Sequence, residues 1–174
     1  MDKKGCLYDL AMRVREIAES DTMAERRRLW RDQNSFLGDR PLIYVRAFAF
    51  DEWFDKYAML IELGNQLPPI EDSQRVEQNL IQGCQSRVWL DAHVDETTGH
   101  VIFEGDSDAV IVKGILSLLI QVLSDHAPAE IAEADLYFIE RIGLKEHLSP
   151  TRSNGLLAMV KQMKLYGLVF SQKN

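Results

Sequence analysis

Residues 87–105 read RVWLDAHVDETTGHVIFEG, and this stretch decides the fold. Its first seven residues alternate between core-facing and outward-facing positions, with Val88 and Leu90 on the apolar side, as in a half-buried strand. A turn-forming DETTG segment follows, and then a second run of β-forming residues. We therefore predict an antiparallel hairpin with strands Arg87–Asp95 and His100–Gly105.

A strongly apolar helix is predicted directly after the hairpin, over Ala109–Leu123. Its apolar residues run almost all the way round, which is typical of a central buried helix. The Asp-Ser-Asp triplet at residues 106–108 precedes this helix and is predicted to cap it.

The C-terminal third is predicted to be helical. A helical stretch is expected to start at Pro128, and Leu136–Ile142 follows it. Ser149 and Pro150 form a cap-plus-N1 signature for a last helix that reaches about Tyr166. Strands do not alternate with helices along the chain, so a doubly wound parallel sheet is disfavoured. The predicted fold class is α+β, with a small antiparallel sheet packed on helices.

Three shorter segments lead into the hairpin. Asp51–Leu63 has apolar residues at helical spacing, and Gly64 is predicted to end this helix. Leu67–Ile70 contains two prolines and is expected to be extended. Ser73–Leu80 is predicted to form a short polar helix.

The first 50 residues differ in composition from the rest. They carry ten Lys and Arg against eight Asp and Glu, whereas the remaining residues carry ten against nineteen. Helices are predicted at Leu7–Ile17 and Met23–Trp30, and a strand or extended segment at Leu42–Phe50. We therefore predict an extra helical N-terminal segment at 1–50 and a main domain at 51–174.

The overall composition is that of an ordinary globular protein. The chain has 174 residues, 46% hydrophobic and 27% charged, with a formal net charge of −7. This balance disfavours a nucleic-acid partner, which would call for a basic stripe. No apolar run reaches the roughly 18 residues of a membrane helix, and the N-terminus lacks a signal-peptide stretch. We expect a cytoplasmic protein without membrane or nucleic-acid contacts, in a compartment that keeps thiols reduced.

Two cysteines, Cys6 and Cys84, are too few for a disulfide framework or a four-ligand zinc site. Cys84 stands in a predicted loop, where a scaffold can expose a reactive group. By residue type alone, a lone cysteine is more often an inert small hydrophobe. A nucleophilic thiol needs access and nearby positive charge. The groups available for this are Arg87, His93, Lys113, His147 and Arg152.

Other kinds of site find less support in the residue pattern. A cysteine hydrolase needs a base beside the thiol and a group that orients the base, and no spacing of the four histidines singles out such a triad. A metal site is disfavoured because a cluster scaffold needs several thiolates, and the triplet at 106–108 lacks the further ligands of a calcium loop.

The motif around Cys84 resembles the signature of the SufE/CsdE family, the sulfur acceptors of cysteine desulfurases. It reads GCQSRVW over residues 83–89. The resemblance continues in family order over about residues 52–170. It is carried by KY, IELG and LP at 56–57, 61–64 and 67–68, GDSDA and IVKG at 105–109 and 111–114, and HLSPTRSNGL at 147–156.

This resemblance implies a SufE/IscU-like fold and a sulfur-transfer function. Cys84 would accept sulfur as a persulfide from a SufS/CsdA-like cysteine desulfurase, stimulate that enzyme, and deliver the sulfur to a SufBCD-like iron–sulfur scaffold complex. The pyridoxal phosphate would belong to the desulfurase, so this chain would need no cofactor or metal and would not itself be an enzyme. A binding regulator with a structural cysteine is the alternative, and monomer and homodimer both remain open.

The resemblance also implies supporting residues around Cys84. Asp108 and Arg152 are expected near the loop, where they order it or shape the docking surface. A helix cap and a surface charge are the alternative interpretations of these two residues. The full set expected to support the loop or the docking of a partner is Gly83, Gln85, Ser86, Arg87, Asp108 and Arg152.

Overall fold

The computed structural model describes residues 53–134, 136, 139, 143–144 and 148–172, with side chains from Lys56 onward. The chain divides into two units, Met1–Lys56 and Tyr57–Asn174, and all contacts given below lie within the second. The predicted segments at 7–17, 23–30 and 42–50 lie outside the described residues, as does most of 136–142. The predicted boundary between residues 50 and 51 stays a prediction.

Four helices and one two-stranded sheet make up the described part of the chain. The elements in chain order are α1 (Trp53–Gln66), two single-turn 3₁₀ helices (Asp72–Gln74 and Glu77–Asn79), β1 (Val88–Val94), β2 (Val101–Ser107), α2 (Val110–Leu123), α3 (Pro128–Glu133) and α4 (Pro150–Ser171). The predicted α+β class is therefore confirmed, with a small antiparallel sheet packed on helices.

The hairpin forms as its alternating pattern predicts. β1 and β2 pair antiparallel, with Val88 opposite Ser107 and Val94 opposite Val101. Val88 and Leu90 are buried, because the period of two places them on the face that packs against the helices. β2 runs two residues further than predicted, which puts Asp106 and Ser107 inside the strand.

Helix α2 is the centre of the core, as its apolar sequence predicts. Eight of its side chains and its glycine are buried. Gly114 lets α1 approach closely, since a Cβ atom at this position would lie 2.1 Å from the Leu60 carbonyl oxygen. Gly64 allows the same close approach from the α1 side, since a Cβ atom at this position would lie 2.9 Å from the Gly114 nitrogen. The prediction that Gly64 ends α1 is therefore wrong, because this glycine provides space between two helices inside a helix that continues to Gln66.

Helix α4 begins at Pro150, as predicted, and continues five residues beyond Tyr166 to Ser171. Met159 and Met163 are fully buried. Gly167 packs α4 against α3, because its Cβ position lies 2.8 Å from the Pro128 carbonyl oxygen. The residues of α4 beyond the predicted end thus pack against α3.

The predicted helix at Ser73–Leu80 is wrong, and two separate 3₁₀ turns take its place. The Asn79 side chain donates a hydrogen bond to the Gln74 carbonyl at 3.0 Å, so the side chain occupies an acceptor that a continuous helix would use. Val76 between the turns has an extended backbone.

Within the described ranges, no helix is both long enough and apolar enough to span a bilayer.

Candidate functional site

Cys84 lies at the tip of a short loop between the 3₁₀ turns and β1. The loop is closed at its base, where the Ile81 N–H donates to the Val88 carbonyl at 2.8 Å. Gly83 has a φ of +88°, in the left-handed region that other residues rarely adopt. The glycine before Cys84 therefore permits the turn that brings the thiol back against the domain.

The Cys84 thiol is half-buried against the first turns of α4. It donates a weak hydrogen bond to the Gly155 carbonyl, with 3.7 Å between sulfur and oxygen. A Cβ atom at Gly155 would lie 3.5 Å from the sulfur, so the missing side chain leaves room beside the thiol. The sequence motif predicts a loop cysteine, but only the fold reveals that Gly155 is its neighbour.

A cavity of about 330 Å³ opens beside the thiol. Its walls come from the Cys84 loop, the start of α2 and the start of α4. The lining residues are Cys84, Gln85, Ser86, Ala109, Val112, Ser149, Thr151, Arg152 and Gly155. The cavity is large enough for a further sulfur atom or a small side chain from a partner.

Burial raises the pKa of the Cys84 thiol above its ordinary value. A raised pKa favours the protonated thiol over the thiolate in this state. Among the positively charged groups expected to help the thiol, Arg152 lines the same cavity as Cys84. Lys113 pairs with Asp106, His93 is exposed on the hairpin, and His147 is outside the described residues.

Asp108 fixes the end of the Cys84 loop. Its carboxylate accepts a hydrogen bond from the Arg87 backbone N–H at 3.0 Å. The Ser107 hydroxyl donates to the Arg87 carbonyl at 2.9 Å, so both backbone polar groups of Arg87 are held. The prediction that residues 106–108 cap α2 is wrong, because Ala109 occupies the N-cap position without a side-chain cap.

Arg75, Asp106 and Lys113 form an ionic cluster around one buried carboxylate, that of Asp106. Asp106 is only 5% exposed and its carboxylate contacts Lys113 Nζ at 2.8 Å and an Arg75 nitrogen at 2.7 Å. Arg75 also lies over the Trp89 ring, 5.7 Å from its centroid. The cluster joins the segment before the loop to β1, β2 and α2.

The electrostatics of this cluster favour an ionised carboxylate. Burial alone would raise the pKa of Asp106. Hydrogen bonds from Lys113 and the Ser107 backbone, together with the charges of Lys113 and Arg75, hold that pKa below its ordinary value. Sequence reasoning missed this cluster, since its members are far apart in the chain and Asp106 looked like a helix cap.

The structure brings the predicted site residues together around one loop. Gly83, Gln85, Ser86 and Arg87 belong to the loop itself, and Arg152 lines the same cavity as Cys84. Asp108 holds the loop through Arg87. Among the described residues, no group of His, Cys, Asp and Glu side chains is arranged to hold a metal ion.

These observations define a class of protein: an α+β domain that presents one half-buried thiol on a loop beside a cavity. The chain matches the model of the SufE family, described as an Fe-S metabolism associated domain, over residues 43–166. It belongs to this family, and the expected family membership is confirmed. The family places the chain in iron–sulfur metabolism.

The fold is similar to the solution structure of a hypothetical protein from Thermus thermophilus. The two superpose with a TM-score of 0.59 at 24% sequence identity. The alignment covers 70% of this chain and 88% of the other, so the likeness extends over most of that domain. At this identity the likeness concerns the fold alone.

Proposed function

We propose that Cys84 accepts sulfur as a persulfide from a cysteine desulfurase and passes it on for iron–sulfur cluster assembly. The observation that carries the proposal is the Cys84 thiol, placed at a loop tip beside a cavity inside the SufE-family match. Loop cysteines with access to solvent or a partner are suited to group transfer.

The transfer step is a displacement at sulfur. The Cys84 thiolate attacks the outer sulfur of a cysteine persulfide on the donor, and a new S–S bond forms at Cys84. The S–S bond of the donor breaks, and its electron pair goes to the donor cysteine. The proton lost by Cys84 ends on that departing cysteine sulfur, so one thiol and one persulfide exchange places.

The resting state of the site explains why a partner is needed. Burial keeps the pKa of Cys84 high, and the thiol is directed at the Gly155 carbonyl. A protonated, half-buried thiol is a poor nucleophile. Docking must therefore move the loop outward or bring a base or positive charge to Cys84. This requirement makes the reaction faster in the complex with the sulfur donor than in the free protein.

The proposal extends to the partners and the compartment. Pyridoxal phosphate belongs to the desulfurase, which does the carbon–sulfur chemistry, and this chain acts as carrier and activator. The persulfide then moves to an iron–sulfur scaffold complex by a second displacement. A reducing cytoplasm suits the function, because it keeps Cys84 a free thiol between deliveries and disfavours a disulfide with another cysteine.

Mass spectrometry tests the carrier function directly. After incubation with a desulfurase and free cysteine, the protein should gain about 32 Da, one sulfur atom, and lose it on reduction. Cys84→Ser should remain unmodified, whereas Cys6→Ser should load normally and serves as the matched control.

The alternative is a binding regulator with a structural cysteine, and the raised pKa of Cys84 is the observation that favours it. If wild-type protein gains no sulfur and Cys84→Ser stimulates the desulfurase fully, the alternative is correct and the carrier proposal is wrong. A cysteine hydrolase would instead form an acyl adduct and turn over substrate without any desulfurase.

A further inference from the structure

We propose that the outer face of α4 binds an acidic amphipathic helix of a partner protein, and that this helix leaves Cys84 uncovered. The outer face consists of Leu157, Lys161, Leu165 and Leu168. The inference does not depend on sulfur transfer through Cys84. It assigns the domain a second binding surface, separate from the cavity beside the thiol.

The outer face is one continuous stripe along the helix. Its four residues follow each other at spacings of four, four and three, so they share one side of α4 over about 17 Å. Leu157, Leu165 and Leu168 are 51%, 48% and 47% exposed. The opposite side of the helix is already used by the core, where Met159 and Met163 are fully buried. Exposed leucines aligned at the helical period differ from the single scattered ones that are ordinary on a protein surface.

The charge of α4 is opposite to that of the chain as a whole. The chain has 27 Asp and Glu against 20 Lys and Arg, whereas α4 contains Arg152, Lys161 and Lys164 and no acidic residue. In the described part of the chain, Lys161 and Lys164 pair with no carboxylate. An apolar stripe that carries unpaired lysines is complementary to an apolar surface flanked by Asp and Glu.

A helix of another protein fits this stripe better than a second copy of α4 or a membrane does. Rows of side chains spaced by three and four residues are how two helices pack side by side. Pairing the outer faces of two copies would bring together Lys161 and Lys164 from both, with no carboxylate on either helix. A helix that lies in a membrane surface buries a broad apolar face, and the broad apolar face of α4 is turned to the core.

The outer face is directed away from the Cys84 thiol. Gly155, whose carbonyl accepts the thiol hydrogen bond, precedes Leu157 by two residues, which places the two about 200° apart around the helix. A partner helix along the outer face therefore does not cover the cavity. The partner can stay attached while Cys84 reacts with another protein, which raises the effective concentration of the thiol.

A designed peptide tests the surface on the full chain. The probe is a labelled helix as long as α4, with leucines at spacings of three and four and glutamates on both sides of that row. Fluorescence anisotropy should show saturable binding that weakens as salt is raised, and a scrambled peptide of the same composition should not bind.

Substitutions on and off the outer face provide the comparison. Leu165→Asp and Lys161→Glu should each weaken binding of the probe by about tenfold, the effect of losing one anchor residue. Ile61→Asp is the matched control, because Ile61 is 37% exposed on α1 and this variant should bind like wild type. Binding that equals that of the scrambled peptide, or that neither substitution in α4 weakens, overturns the proposal.

Two further measurements identify a different occupant. A wild-type dimer in sedimentation experiments that Leu165→Asp dissociates would show that the outer face binds a second copy. Binding of wild type to phosphatidylserine vesicles, lost in Leu165→Asp, would show that it binds a membrane. Either result overturns the proposal.

Alkylation tests whether the bound helix leaves the thiol uncovered. In a Cys6→Ser background, iodoacetamide should modify Cys84 at the same rate with and without saturating peptide. Slower alkylation in the complex overturns the separation of the two surfaces. Because no step uses a persulfide, failure of this proposal and failure of the carrier function are distinguishable.

Discussion

The Cys84 loop and the frame behind it are held in different ways. We use "the frame" for β1, β2 and α2 together with the α1 contact at Gly114. Residues 82–86 of the loop are held weakly. Their side-chain hydrogen bond to the rest of the described chain is the one from the Cys84 thiol to the Gly155 carbonyl, at 3.7 Å. The frame has helices in backbone contact at Gly114 and a carboxylate that binds two cations. This difference allows the reactive group to change its environment while its support stays fixed.

The largest expected loss of stability comes from disrupting the contact between α1 and α2 at Gly114. Gly114→Ala would place a Cβ atom 2.1 Å from the Leu60 carbonyl oxygen, so α1 and α2 would have to separate. We expect the free energy of unfolding in urea to fall by about 3 kcal/mol or more.

Gly99→Ala is the control for Gly114→Ala. Gly99 has a φ of +72° and no atom within 4 Å of its Cβ position, so this change adds backbone strain without a clash. It should cost about 1 kcal/mol. Equal losses for the two variants would show that the contact between α1 and α2 is not tight.

A smaller loss of stability is expected from removing the charge of Asp106. This carboxylate joins the frame to Arg75, in the segment before the loop. Asp106→Asn leaves Arg75 and Lys113 without their shared carboxylate. We expect a loss of about 2 kcal/mol in unfolding free energy, below the roughly 3–5 kcal/mol of a fully buried pair, because both cations partly reach water.

The effect of Asp106→Asn should depend on pH. The pKa of Asp106 is lowered in the folded state, so its stabilisation is present above the pKa of the unfolded chain and is lost as pH falls through the folded pKa. The difference between wild type and variant should therefore shrink in acid. Asp108→Asn, which retains the acceptor for the Arg87 N–H, should change stability little. A difference that does not vary with pH would contradict the ionic account.

The smallest expected effect concerns the ionisation of the Cys84 thiol in the loop. Alkylation of Cys84 by iodoacetamide, measured against pH in a Cys6→Ser background, should have its midpoint above that of the same chain in denaturant. Burial is the cause, because it raises the pKa of the folded thiol. The corresponding stability is present below the unfolded pKa and is lost as pH rises through the folded pKa.

Binding of the desulfurase sharpens the alkylation experiment. If docking moves the loop or brings positive charge to the thiol, the midpoint should fall in the complex. A free protein whose midpoint equals that of the denatured chain would show that Cys84 is not held in the cavity.

Local patterns in the sequence predict the hairpin and the central helix, and the structure confirms both. The alternation of Val88 and Leu90 defines one face, and the apolar residues of 109–123 leave no polar side for solvent. The motif at 83–89 also identifies the family, because it depends on the residues themselves and not on their contacts.

The wrong predictions at Gly64 and Asp106 have a common physical origin. Both residues were interpreted by local rules, as a helix end and a helix cap. Their neighbours in space are Gly114 and the cations of Arg75 and Lys113. Contacts between residues far apart in sequence override local preference, and a single sequence does not show them. The Gly155 carbonyl beside Cys84 was missed for the same reason.

The hydrogen bond between Ile81 and Val88 separates the Cys84 loop from the strands, so that the loop can open without them. Because this bond and the hydrogen bonds of Arg87 to Ser107 and Asp108 hold the ends of the loop, residues 82–86 can open as a unit without disturbing the register of β1 and β2. Opening then costs only the contacts of the loop itself, a small part of the global free energy of unfolding. Amide protons within the loop should exchange with deuterium far faster than those of Leu90 or Phe103. The fraction of time that the loop is open limits how often a donor finds the thiol accessible.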